Sequence, residues 1–393
     1  MRSATLRVAF TLTAVAAVLT SVTVAYAGSS PRPDTPLREV PRLQQDIDAI
    51  HTLGITGAQA RLVTPDGRDQ TATSGVADLT TGGPVPVDGH FRIASAGKTF
   101  VATVILQLIG EGRLALDDTV ERRLPGVVRG NGNDGRRITI RQLLQHTSGI
   151  HDDFPDIYST EADFYQHRYD VDTPEQLVAR AMRHEPDFVP GTAWRYSTTG
   201  YILLDMIIER TTGQPWFEEV RRRIVQPLGL TETSWPGLSP TMPSPYAHAY
   251  QPFESGAPVD VTDHVVIDPE GAIVSTTRDL NRFFRGLFGG RLLRPAQLAQ
   301  MTRTIPVDPE LEKIMPGARY GLGLFQRPLP CGGTYWSHPG GDAGYITDNG
   351  VTTDGRRSVV LSVSSVLGNE QDDFVRQQRA ADTLVGHALC RRA

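Results

Sequence analysis

A serine and a lysine three positions apart, Ser95 and Lys98 in "FRIASAGKTF", have the types and spacing to do chemistry together. The chain carries 39 Lys plus Arg, yet only Lys98 and Lys313 are lysine. An arginine stays protonated in a protein, whereas a lysine can be shifted to act as a base, so a rare lysine in a Ser-x-x-Lys pattern marks a need that a guanidinium cannot meet. If Ser95 opens a helix, this spacing puts Lys98 one turn on along the same face, with its nitrogen approaching the hydroxyl. The helix N-terminus and the buried surroundings are expected to lower the lysine pKa, so that neutral Lys98 takes the serine proton and Ser95 attacks a carbonyl. Ser-x-x-Lys alone is a weak pattern, and the scarcity of lysine is what makes it informative here.

Two further stretches could join this pair: "WRYSTTGY", with Tyr196-Ser197-Thr198, and "SHPGGDAGY", with His338-Pro339-Gly340-Gly341. The elements that must position them can be read from period and breakers. Leu43, Ile47 and Ile50 give a helical period over 43–53. Two short runs near 57–64 and 70–77, joined at Pro65-Asp66-Gly67, read as a hairpin. "KTFVATVILQLIGEG" is apolar on nearly every side, as in a helix buried all round. From about 116 to 270 helices alternate with long polar loops and no strand alternation appears. Beyond Gly271 come a helix at "TRDLNRFFRGLF", several strand-like runs from "YGLGLFQRPL" to "RRSVVLSVSSV", and an amphipathic helix at "DDFVRQQRAADTLVGHAL". The sum is an α+β fold. An antiparallel β-sheet flanked by helices is built from about 42–115 and 271–393, and a mostly helical lobe is inserted over about 116–270.

The N-terminus reads as an export signal over residues 1–27, with Arg2 and Arg7, an apolar run from Val8 to Val24, and Ala25-Tyr26-Ala27 before the cleavage point. Residues 28–41, rich in Pro, Ser and charge, read as a linker before a folded unit over 42–393. Cleavage would remove two arginines and take the net charge from −5 to −7. Such a chain has no electrostatic footprint for nucleic acid, and no later run is long enough to span a bilayer. In an exported protein the two cysteines, Cys331 and Cys390, are most simply a disulfide. No zinc-site spacing occurs, so neither metal nor other cofactor is expected. Asp152-Asp153 lacks clustered partners and reads as a solvated loop.

With these motifs the sequence resembles the serine β-lactamase and DD-peptidase superfamily, in the branch with Tyr in the second motif that class C β-lactamases, class C type penicillin-binding proteins and related esterases share. It is most similar to secreted actinobacterial D-alanyl-D-alanine carboxypeptidases. The likeness runs from "GVADLTTGGPVPVDGHFRIAS" through "ITIRQLLQHTSGI", "PLGLTETS" and "GAIVSTTRDL" to the cysteine near the C-terminus. It implies a β-lactamase/transpeptidase-like fold with the active site in the cleft between sheet and helical lobe. Ser95 would be the nucleophile, Lys98 and Tyr196 the proton-handling pair, and His338 a cleft-wall group. The N–H groups of Ser95 and Gly341 would form the oxyanion hole, with Thr198, Gly340, Arg327 and Trp194 toward the substrate.

Two positions depart from that branch. Thr198 stands where the motif usually ends in Asn, and a hydroxyl cannot offer the two-sided donor and acceptor of an amide. Phe325 stands where the carboxypeptidases have an Arg for the substrate's terminal carboxylate; Arg327, two residues on in a strand, faces the same way and is the expected partial substitute. Bland alternatives stand beside the catalytic ones: Tyr196 as a packed core tyrosine, His338 as a strand histidine, His146 as the residue fixing a turn, Trp194 and Trp336 as core. The expected activity is a secreted, monomeric serine carboxypeptidase acting on peptidoglycan stem peptides and acylated by β-lactams. The alternatives are an esterase, D-amino-acid amidase or β-lactamase on the same machinery, and, from another class, a binding protein without turnover.

Overall fold

In the computed structural model, which describes residues 42–153, 160–368 and 371–390, the turn at Pro65-Asp66-Gly67 joins two antiparallel strands, β1 (Gly57–Val63) and β2 (Asp69–Gly75). The expected export signal and linker lie outside the described residues. On β1 the alternate residues Ala58, Ala60 and Leu62 pack with Ile47 and Ile50 of α1 (Arg42–Thr52). Between them Gln59 and Arg61 point to the opposite face, also buried, where Gln59 donates to Gly89 O and Arg61 to Asp69. A strand buried on both faces must satisfy its inward polar groups; Arg61 does so through Asp69, Asp88 and Thr277, while Gln59 pairs its amide N–H and leaves Oε1 without a partner among the described residues.

Seven further strands complete the sheet: β3 (Ile305–Pro306), β4 (Arg319–Tyr320), β5 (Phe325–Pro328), β6 (Thr334–Ser337), β7 (Gly340–Asp342), β8 (Tyr345–Thr352) and β9 (Ser358–Val363). Their order is β2-β1-β9-β8-β6-β5-β4-β3, with β7 also paired to β8, and every pairing is antiparallel. The pairing of β1 with β9, from Ala58↔Val363 to Val63↔Ser358, brings the two ends of the sequence into one sheet. The C-terminal helix α6 (Gln371–Leu389) packs with α1 on one face through Leu384, Val385 and Ile47. A disulfide between Cys331, in the β5–β6 turn, and Cys390 ties the end of α6 to the sheet.

The other face carries α4 (Thr277–Phe288) and α2 (Gly97–Gly110), with the short helix α5 (Pro295–Met301) packed against α2. Phe100 of α2 stacks on Phe283 of α4 with ring centroids 3.6 Å apart. Eleven of the fourteen α2 residues are buried, as the unbroken apolar run requires. At about 1.5–3 kcal/mol for each large apolar side chain fully enclosed, this helix is a major source of the fold's stability and a rigid base for the residues at its N-terminus. The helical lobe follows. Its longest helix, α3 (Thr198–Thr212), packs against α2, and shorter helices such as Ile140–Leu144 and Pro174–Ala181 begin at capping boxes on Thr139 and Thr173. Two hairpins, Arg129–Gly130 with Asn133–Asp134 and Tyr250–Pro252 with Pro258–Asp260, interrupt this lobe where no strand was expected. Strands of two or three residues are too short to show an alternation. Among the described residues, no helix is long and apolar enough to cross a membrane.

Candidate active site

Ser95 sits in a single helical turn, Ala94–Ala96, that runs directly into α2. Ala94 just before it has φ of 48°, a left-handed conformation that an L residue adopts at a cost of about 1–2 kcal/mol. Packing imposes this turn: β7 lies flush against it, and a Cβ on Gly340 would come within 2.3 Å of Ile93 O and 2.8 Å of Ser95 N. Only glycine permits that approach. Its neighbour Gly341 is thereby held beside the nucleophile turn, where its N–H and that of Ser95 are the expected oxyanion donors.

Lys98 lies one turn along α2, with Nζ 3.5 Å from Ser95 Oγ, and its side chain is wholly buried. The expectation of a lysine made neutral is corrected here. Burial does press Lys98 toward the neutral form, but Asp268 Oδ2 at 3.2 Å and Glu270 Oε1 at 3.1 Å outweigh it, holding the ammonium well above its ordinary pKa. Sequence reasoning missed both carboxylates, although "DPEG" directly precedes a motif stretch. The second lysine, Lys313, is an exposed partner of Glu310, so the lysine at position 98 is singular in burial as well as in type.

Tyr196 comes from the loop before α3. Its hydroxyl is buried beside Ser95 and pushed up to about 12 by burial, with the charge of Lys98 pulling it down, so the phenol stays protonated. His338, between β6 and β7, is neutral: burial first, and then Lys98, lower it to about 3. Its tautomer follows from a directional chain of hydrogen bonds. The backbone N–H of Ser197 donates to Nδ1 of His146, leaving the proton on Nε2, which donates to Tyr320 Oη at 3.1 Å. Tyr320 then donates to Nε2 of His338 at 3.1 Å, and His338 Nδ1–H donates to Pro339 O at 2.8 Å. His146 does occupy a turn, with φ of 58°, but its ring also anchors this chain, which single-residue reasoning could not foresee.

A cavity of about 380 Å³ opens in front of Ser95. Trp194, Tyr196, His338 and Gly340 line it as expected, together with Phe325, Met315, Ile346 and Phe374. Asp308 and Glu310 stand among the lining residues, while among the described residues neither Arg nor Lys does. Arg327 is a correction. Its guanidinium makes two hydrogen bonds to Asp382 of α6, at 3.0 and 2.7 Å, and lies against Tyr335. One strand step along β5 carries it past the cavity and under α6. Thr198 does not line the cavity either: it begins α3, with its N–H held by Asp152. Asp152 is not merely solvated, since its carboxylate also accepts from Thr199 N and Oγ1 and so fixes the start of α3 next to Tyr196. Trp336 is core, stacked on Phe288. Among the described residues no cluster could hold a metal ion.

Comparison with known proteins agrees with this geometry. The Beta-lactamase family model matches residues 43–384. A D-stereospecific amidohydrolase from Streptomyces sp. superposes with a TM-score of 0.77 at 40% identity, over 86% of this chain and 97% of that one. The D-amino acid amidase from Ochrobactrum anthropi SV3, solved with L-phenylalanine amide, gives 0.75 at 27% identity over 88% and 97% of the two chains. Penicillin-binding protein 4* of Bacillus subtilis (strain 168) is 29% identical over 316 residues, 77% of this chain and 66% of that protein, so the chain spans just under two thirds of this relative's length.

Proposed function

The chain belongs to the Beta-lactamase family as a serine hydrolase, and from that premise we propose that it cleaves the amide bond of small D-amino-acid derivatives with apolar side chains through an acyl-enzyme on Ser95. The observation that carries this is the cavity before Ser95: aromatic and aliphatic walls and, among the described lining residues, two carboxylates and no Arg or Lys, with Lys313 paired to Glu310 but not itself lining the cavity. A substrate's free carboxylate would enter it without a partner, whereas an uncharged amide with an apolar side chain suits it. The D configuration is supported by the names of the two solved relatives. In this mechanism Lys98, once its ammonium has given up a proton, takes the proton of Ser95 Oγ as that oxygen attacks the carbonyl carbon, and passes it through Tyr196 to the leaving nitrogen; water then releases the acid. The tetrahedral oxygen would sit between the N–H groups of Ser95 and Gly341.

A D-alanyl-D-alanine carboxypeptidase is the second reading, favoured by Tyr196 and His338 in their motifs. Among the described residues the cavity offers it no cation for a terminal carboxylate, because Phe325 holds that place and Arg327 is bound to Asp382. Export is proposed with either reading and is supported by the disulfide, which suits an oxidising compartment. The test is hydrolysis of D-phenylalanine amide, its L enantiomer and an N-acyl-D-Ala-D-Ala peptide, with intact mass after penicillin and Ser95→Ala as the blank. The reading expects kcat/KM for the D-amide to exceed that for the peptide by about tenfold or more, since a buried unpaired charge costs over 1.4 kcal/mol. The reverse order would overturn it in favour of the carboxypeptidase.

A further inference from the structure

Behind Lys98, away from the cavity, the side chains of Glu270 and Asp205 form a buried acidic pair. Glu270 is 0% exposed and Asp205, on α3, 2%. Apart from the Lys98 ammonium, 3.1 Å from Oε1 of Glu270, no described residue donates to the carboxylate oxygens of these two. Two carboxyls in contact can bond each other only if one of them carries a proton, and Asp205 and Glu270 are so placed. Two buried carboxyls with a single cation between them are costly, so this arrangement needs a reason. Gly97 shows how closely the loop is drawn in: a Cβ there would lie 2.1 Å from Glu270 O, so the first turn of α2 and residue 270 are packed backbone to backbone.

We propose that Glu270 is the proton acceptor that turns the Lys98 ammonium into the free amine Ser95 requires, with Asp205 as the neutral acid that steadies Glu270 from behind. This deepens the acyl-enzyme reading and rests on it. In the step, a proton moves from Nζ of Lys98 to Oε1 of Glu270, and the N–H bond broken there is replaced by an O–H bond. The freed lone pair accepts the proton of Ser95 Oγ as the Oγ–C bond forms. That second proton leaves through Tyr196 to the departing nitrogen as the C–N bond breaks, and the first returns from Glu270 to Lys98. Asp268 is the less suited acceptor, since its side chain is 13% exposed and reaches solvent, whereas the side chain of Glu270 is sealed against Lys98. Glu270 is a positioning residue in this scheme, acting through Lys98 and touching no substrate.

The groups that set its charge come from every element around it: Lys98 on α2, Asp268 on the same loop, Asp205 and Tyr201 on α3, Tyr196 before it and Tyr320 on β4, with His146 and His338 both neutral. Burial and then Asp268 push Glu270 up to about 8 against the pull of Lys98. The acceptor is the ionised form, so acylation gains rate as pH rises through that value.

The test is acylation of Ser95 by p-nitrophenyl acetate from pH 6 to 9.5, read as p-nitrophenol release less that of Ser95→Ala, in wild type, Glu270→Gln and Glu270→Asp. Wild-type kcat/KM is expected to climb through about pH 8. Folded Glu270→Gln is expected to lose that limb and about 100-fold or more in rate, the scale of a general-base contribution. A limb that survives in Glu270→Gln, even at a lower rate, overturns the proposal by leaving only a structural role. If Glu270→Gln does not fold, Glu270→Asp decides: a displaced midpoint supports the relay and an unmoved one overturns it. A flat wild-type profile overturns it alone. The ester is not the substrate proposed above, so failure on D-amino-acid amides would leave this test standing.

Discussion

Tyr320→Phe removes one hydroxyl from the centre of the chain that runs from Ser197 to Pro339. Tyr320 is 0% exposed, and its Oη is the acceptor for His146 Nε2–H and the donor to His338 Nε2. Neither imidazole can turn to a new partner. His146 Nδ1 is already taken by the Ser197 N–H, and His338 Nδ1–H is already given to Pro339 O. The substitution therefore strands one buried donor and one buried acceptor, each worth about 1–3 kcal/mol, while recovering the desolvation of the phenol itself. A net loss of about 2–3 kcal/mol follows. It would be read as a fall in the urea midpoint at an unchanged m-value, at a pH above 7 where both rings are neutral. A loss below about 0.5 kcal/mol would mean that the chain does not exist as drawn, and that the neutral tautomer assigned to His338 has no support.

Other outcomes follow from the same geometry. The carboxyl of Asp205 is held well above its ordinary 3.8 by burial first and then Glu270, so its contribution is complete below pH 3.8 and declines as pH rises. Asp205→Asn is accordingly expected to stabilise the protein by about 1–4 kcal/mol at pH 7 and not at pH 3.5, checked by denaturant midpoints at the two pH values. Arg327→Met should cost about 1–3 kcal/mol by removing both charged hydrogen bonds of Asp382 and leaving it that from Gln378, yet leave kcat/KM within about twofold; a tenfold loss of activity would restore Arg327 to substrate binding. Phe325→Arg should raise the preference for peptides with a free terminal carboxylate over amides by about tenfold, or about 1.4 kcal/mol, in competition assays. Replacing Cys331 and Cys390 by serine opens a loop spanning 59 positions and should lower stability by about 4 kcal/mol, seen in the thermal midpoint.

Local pattern was enough for much of this protein. The hairpin at Pro65-Asp66-Gly67, the all-round apolar helix after Ser95, the helix at Thr277–Phe288 and the C-terminal helix follow from turn chemistry and hydrophobic period, which neighbouring residues in the chain decide. The pairing of Ser95 with Lys98 is likewise a matter of helical spacing. What one residue type could not reveal was the charge on Lys98. That depends on Asp268 and Glu270, about 170 positions away, and their field outweighs a burial effect that alone would have the opposite sign. Arg327 shows the same limit from the other side. A period of two correctly gives the face of a strand, but not that Asp382 on a distant helix waits one step along it. Residue types and local spacing determined where the elements lie and which groups can react; long-range packing alone decided how those groups are charged and what the cavity admits, because electrostatic environment and shape come from contacts between residues far apart in sequence.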